Sequence, residues 1–154
     1  MGAPTETGRP TTLFLLLSAA TLALDQTTKA VAARALRAGP SLPILGDWVQ
    51  LTLTRNIGSA FGLISAGWVL VAAGALVCAV ILAYVLRGRL LRARGRALPL
   101  ALIFGGSLGN LVDRIRTGAV VDFIDLRVWP VFNFADAAIT LGVLLFAHDL
   151  FRRN

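Results

Sequence analysis

Residues 67–86 read GWVLVAAGALVCAVILAYVL, a stretch without a single charged side chain. At ~1.5 Å of rise per residue, such a run as a helix matches the ~30 Å hydrocarbon core of a bilayer. Three further apolar runs surround it. Residues 13–24 are followed by Asp25, Gln26, Lys29 and a second apolar piece at 30–33. Residues 97–111 are rich in glycine, with Asn110 at their end and Asp113 just beyond, and residues 134–150 begin beside Asp136. The whole chain agrees with them: 154 residues, 56% hydrophobic, 15% charged, and a mean hydropathy of +0.76. Soluble domains run at about 45–50% apolar and about 25% charged.

The expected fold is therefore an all-α membrane protein of one domain, residues 1–154. It is a four-transmembrane-helix bundle with spans at about 12–33, 67–86, 97–115 and 134–151. The tail Ala30-Val31-Ala32 mimics a signal-peptide cleavage site, but three more spans do not suit a secreted soluble chain. Arg87, Arg89, Arg92, Arg94 and Arg96 fall between spans two and three, and Arg152 and Arg153 follow span four. The positive-inside rule makes that side cytoplasmic, together with both termini. The segments near 34–66 and 112–132 then lie outside. Residues 42–53 and 120–131 carry strand-like residues, so a small extracytoplasmic β-cradle is expected there.

A formal net charge of +7 suggests nucleic acid as a partner, but the arginines sit between membrane-length apolar runs. A nucleic-acid module needs a solvated basic face with stacking aromatics, so that class is excluded. Cys78 and His148 are each alone. No intrachain disulfide is possible, and no structural zinc site is expected. A small apolar role inside a span suits Cys78.

The polar residues inside or beside the spans are the informative ones, because burying a charge in hydrocarbon costs at least ~2.5–3.5 kcal/mol. Placed by depth, Asp25, Lys29, Asn110, Asp113, Arg114, Asn133 and Asp136 all fall at the outer ends of spans. Asp122 lies in the loop just before span four. Each has a plain alternative. Asp25 and Lys29 are spaced as a helix-face ion pair that snorkels to the interface. Gly105 and Gly109 form a small-xxx-small pair for close helix packing. Gly106, Asn110 and Asp113 share one face of span three, which points to polar contacts in a cavity. Asp47 and Asp125 read as ordinary loop carboxylates, and Asp149 receives no role.

Asp122 and Asp136 remain. Two carboxylates brought together cannot both ionise cheaply, so one becomes an acid and the other a base. Such a pair activates water and protonates a leaving amine without a covalent intermediate. A serine or cysteine mechanism would need His148, on the cytoplasmic side. A metalloprotease would need more histidines.

Five blocks carry a family resemblance: DQTTK at 25–29, RNIGSAF at 55–61, GGSLGNLVDR at 105–114, VVDF at 120–123 and FNFAD at 132–136. In this order they resemble the motifs of the bacterial lipoprotein signal peptidases, signal peptidase II. The resemblance implies an aspartyl endopeptidase of the bacterial inner or plasma membrane. It would remove the signal peptide from prolipoproteins, cutting just before a diacylglyceryl-modified cysteine. It implies Asp122 and Asp136 as the catalytic dyad. Asn56, Gly106, Asn110, Asp113, Arg114 and Asn133 are expected in the pocket or on the substrate, with Asp25 and Lys29 as structural support. It implies inhibition by the cyclic peptide globomycin. Membrane lipid is expected around the site, no metal or organic cofactor is needed for the chemistry, and a monomer is the default state. Ser59 stands where the family usually has alanine, and the stretch from Asp122 to Asp136 is short for the family.

Two other readings stand beside it. A small proton-coupled transporter or channel subunit also places carboxylates in a membrane, but these polar groups lie at one depth and form no path across it. A structural subunit docking through the Gly-rich helix leaves the carboxylates unexplained.

Overall fold

The computed structural model describes residues 9–37, 39–58, 67–90 and 94–152. Helix α1 (Arg9–Ala35) leads to strands β1 (Leu42–Leu45) and β2 (Val49–Asn56). Helix α2 (Gly67–Leu86), a short 3-10 turn (Arg94–Arg96), helix α3 (Ala97–Thr117), strand β3 (Val120–Asp125) and helix α4 (Phe134–Phe151) follow. The second and fourth helices match the expected bounds. The first begins three residues before position 12, and the third runs to Thr117. Gly118, at φ 74°, caps α3 in the left-handed region that glycine adopts without strain.

Among the described residues, three of the four helices are long and apolar enough to cross a membrane: α2, α3 and α4. Helix α1 has the length but carries Asp25, Gln26 and Lys29, which lower its hydropathy. Helix α2 is apolar on all sides and leaves Trp68, Val69, Leu76 and Val80 exposed, as expected of a helix facing hydrocarbon.

Helix α3 is the centre, packing against α1, α2 and α4. Its glycines explain how closely. A Cβ on Gly105 would lie 2.7 Å from the Ser18 carbonyl oxygen, and one on Gly109 would run into the Asp25 carboxylate. The small-xxx-small pair is thus the seat of α1. Gly106 serves α4 in the same way, with 2.7 Å between its would-be Cβ and the Ala135 carbonyl oxygen. Phe14, Ile81, Val85, Leu90, Leu100 and Ala101 close the core at the end opposite the sheet.

The three strands form an antiparallel sheet in the order β1-β2-β3. Leu51 and Leu53 of β2 and Phe123 and Ile124 of β3 pack on Ala32, in the last turn of α1, and on Leu36 just past its end. In β2–β3, Thr54 faces Asp122 and Asn56 faces Val120. This register brings Asn56 near Asp122. Asp125 is not an ordinary loop carboxylate. It ends β3, is buried, and accepts the Arg127 N–H at 2.8 Å and the Thr52 hydroxyl at 3.1 Å. The Arg127 N–H holds its carboxyl below the usual range. Residues 59–61 of the second motif block, Ser59 among them, and Arg92 and Arg153 lie outside the described residues.

Candidate active site

Asp122 sits in mid-β3 and Asp136 in the first turn of α4. The start of α4 is built by local chemistry. Asn133 is its N-cap: its Oδ1 accepts the Asp136 N–H at 3.0 Å, and Asp136 Oδ2 accepts the Asn133 N–H at 3.2 Å. This capping box satisfies donors that a helix start leaves unpaired. A third, the Ala135 N–H, is taken by Asp25 Oδ1 of α1 at 3.0 Å. A negative carboxylate there also suits the positive end of the helix dipole.

All four oxygens of the two carboxyl groups accept from amides. Asp122 Oδ1 accepts from Asn133 Nδ2 at 2.6 Å, and Asp122 Oδ2 from Asn56 Nδ2 at 3.0 Å. Asp136 Oδ1 accepts from Asn110 Nδ2 at 2.8 Å, and its Oδ2 from the Asn133 backbone. Asn133 therefore touches both groups. Burial pushes the Asp122 carboxyl above the ordinary range. The bonds from Asn56 and Asn133 pull it back, and the Asp136 charge adds to the rise.

Beneath this pair lies a second polar layer. Lys29 is buried; its Nζ donates to Asp25 Oδ2 at 2.8 Å and to Asn110 Oδ1 at 2.9 Å, and forms an ion pair with Asp113 Oδ2 at 2.9 Å. Asp25 and Lys29 thus do not snorkel. A buried ammonium needs such partners, since a charge left unpaired away from water is costly. Asp113 also accepts from Gln26 Nε2 at 2.9 Å and from the Val121 N–H at 3.4 Å. That ties α1, α3 and β3 together one residue before Asp122.

The expected site residues converge, though by different means. Asp25, Lys29, Asn56, Asn110, Asp113, Asn133, Asp122 and Asp136 join one hydrogen-bonded set. Asn110, Asp113 and Asn133 are buried and direct their side-chain bonds to protein groups. Gly106 lies in the α3–α4 contact. Arg114 stands apart: Asp113 pairs with Lys29 rather than with it, its Nη1 reaches the Asn110 carbonyl at 3.5 Å, and its Nε has no partner among the described residues. Gln26 was not singled out from the sequence, and its only signal was an amide between two charges in an apolar helix. The capping box had a readable signal, Asn133 three residues before Asp136.

Two apolar cavities open beside this set. One, of about 480 Å³, has Asp136, Trp129, Phe132 and Leu141 on its walls. The other, of about 490 Å³, is lined by Trp68, Val71, Ile115 and Arg114 among others. At the far end of the bundle, Arg96 Nε pairs with Asp149 Oδ2 at 2.9 Å and the guanidinium lies 5.4 Å from the Phe146 ring centre. This ion pair gives Asp149 a partner across the helix ends.

Residues 17–152 match the family model described as Signal peptidase (SPase) II. The lipoprotein signal peptidase of Moorella thermoacetica is 46% identical over 142 residues, covering 89% of this chain and 91% of its own. That of Pelotomaculum thermopropionicum is 44% identical, covering 90% of each. A bacterial membrane enzyme solved by the in meso method superposes with a TM-score of 0.80 at 28% identity, over 92% of this chain and 94% of the other. Sequence blocks, fold and relatives agree, and the chain belongs to the signal peptidase II family of aspartic-type membrane peptidases.

Proposed function

We propose that Asp122 and Asp136 are the acid–base pair of a peptidase that removes signal peptides from prolipoproteins, cutting just before a diacylglyceryl-modified cysteine. The observation that carries this reading is the set of amides on all four carboxyl oxygens, from Asn56, Asn110 and Asn133. Amides leave the charge state of the pair free to change, as lysines or arginines in their place would not. One carboxyl of the pair holds a proton, and the other accepts one from the attacking water. Hydroxide adds to the scissile carbonyl carbon, and the tetrahedral intermediate collapses as the leaving amine takes a proton. No covalent bond to the protein forms, and no cofactor is required.

Helix α1 crosses the membrane with the other three, and the chain forms one domain and acts as a monomer. Element order puts the sheet, the pair and the α1–α2 and α3–α4 connections at one end. The arginines between α2 and α3 mark the other as cytoplasmic. Trp48, Trp68 and Trp129, all strongly exposed, belong to the sheet end, which suits the outer interface where tryptophan gathers. The scissile bond of a lipidated precursor lies at that depth, and the apolar cavities beside Asp136 and Arg114 suit acyl chains and leader helix. Globomycin is expected to compete for the same space.

The test compares a lipidated precursor with its unlipidated form in one detergent. A diacylglyceryl group buries many methylenes at ~0.8 kcal/mol each, so it fixes the depth of the bond to be cut. A kcat/KM at least ~100-fold higher for the lipidated form is expected on that basis. Equal values would overturn the substrate assignment.

A further inference from the structure

Lys29 lies among three side-chain oxygens: it donates to Asp25 Oδ2 and Asn110 Oδ1 and pairs by charge with Asp113 Oδ2. Two carboxylates already offset the charge of one ammonium. The third bond goes elsewhere, to the amide that holds Asp136. An ammonium only donates, so Asn110 must turn its oxygen toward Lys29. Its Nδ2 then faces the opposite way, onto Asp136 Oδ1 at 2.8 Å. The flipped amide would set donor against donor at Lys29 and acceptor against acceptor at Asp136.

We infer that Lys29 is a positioning residue for the proposed acid–base pair. It acts through Asn110, locking the amide orientation that presents a donor to Asp136. The inference rests on the assignment of Asp122 and Asp136 given above. Asn133 Nδ2 gives one hydrogen to Asp122 Oδ1 at 2.6 Å and the other to Asn110 Oδ1 at 3.2 Å. Of the two donors on the Asn110 oxygen, Lys29 is the shorter, at 2.9 Å, and the charged one, so it holds the amide more strongly. Without it, Asn110 can turn its oxygen toward Asp136, and Asp136 then loses a donor and gains a repulsive neighbour. The residues around Lys29 are otherwise those of a structural ion pair: Asp25 on its own helix, and Gln26 and Asp113 beside them.

Structural and positioning roles separate in a double variant. Lys29→Met alone leaves Asp25 and Asp113 uncompensated and is expected to lower yield. D25N/K29M removes one charge of each sign; Asp113 loses its cation but keeps the bonds from Gln26 Nε2 and the Val121 N–H, and the asparagine placed at position 25 still offers its side-chain oxygen to the Ala135 N–H. The double variant is expected to insert and fold. On a lipidated precursor its kcat should fall roughly 100-fold, the scale of a misplaced catalytic group. Its KM should stay within about threefold, since ground-state binding is untouched. The acid limb of its pH–rate profile should move as well. A folded double variant with wild-type kcat and an unmoved profile would overturn the inference. One that cannot fold also counts against it, because the bundle itself would then need the third bond. Asp122→Asn, assayed in parallel, keeps the two claims apart. If Asp122→Asn cleaves normally, the acid–base reading falls. If it is dead while D25N/K29M turns over normally, only the role of Lys29 falls.

Discussion

Asn133 and Asp136 bind each other twice, side chain to backbone in both directions, at 3.0 and 3.2 Å. One carboxyl group of the proposed acid–base pair is therefore also the last member of a helix cap. Its position is inherited from the start of α4, not from the flexible reach of a side chain.

Folding and chemistry should part company at Asp136. Asp136→Asn keeps an oxygen for the Asn133 N–H but sets its NH2 against Asn110 Nδ2, so it is expected to insert and fold with a melting temperature below that of the wild type. Asp136→Ala loses the reciprocal bond, and a cap interaction is worth about 1 kcal/mol. Both are expected to abolish cleavage of a lipidated precursor on a gel. Turnover by either would remove Asp136 from the mechanism.

Asn133 offers a similar separation. Asn133→Ser retains a capping oxygen but no amide for Asp122. It should unfold close to the wild-type temperature and yet cleave slowly, by ~10-fold or more, the scale of a lost hydrogen bond to a charged group. Asn133→Ala should lose both stability and activity. Equal kcat for Asn133→Ser and wild type would show that the Asn133–Asp122 bond does not matter to turnover.

Stability should fall as pH rises where Asp122 titrates. Its folded carboxyl holds a proton above the ordinary value of about 3.9. Between that value and the raised one, the folded chain binds more protons than the unfolded chain, so raising the pH favours unfolding. The contribution is complete below the ordinary value and gone above the raised one. Asp122→Asn should flatten this slope in melting curves taken from acid to neutral pH. An unchanged slope would mean that Asp122 is not the group responsible.

Gly109→Ala should be badly tolerated, because the added methyl group meets the Asp25 carboxylate that α1 presses against α3. Gly39→Ala, where nothing lies within 4 Å, should leave melting temperature and yield unchanged. If both variants accumulated and melted alike, the α1–α3 contact would be looser than described.

Much of this arrangement was legible in the residues. The uncharged run at 67–86 became α2 as read, because hydropathy over such a length has one physical solution. The convergence of polar groups followed from helix direction alone. What could not be read were the partners. Asp125 reads as a loop carboxylate because only the β2–β3 register brings Thr52 to it. Asp113 and Arg114, adjacent in sequence, look like a pair, yet a helix points neighbours apart by about 100°, and Lys29 of α1 claims Asp113. Gln26 gains its meaning only once α3 is beside it. Periodicity tells which face a side chain occupies and says nothing about what another helix brings to that face.

Lys29 is the sole lysine of the chain, and only 3% of its surface is exposed. An amine-directed reagent therefore finds no side-chain target while α1 rests on α3. Each molecule in which Lys29 becomes acylated has opened at that seam, so the rate of labelling counts openings at this one place in the bundle. The protein carries its own clock for local unfolding, set at the layer on which the two carboxyl groups stand.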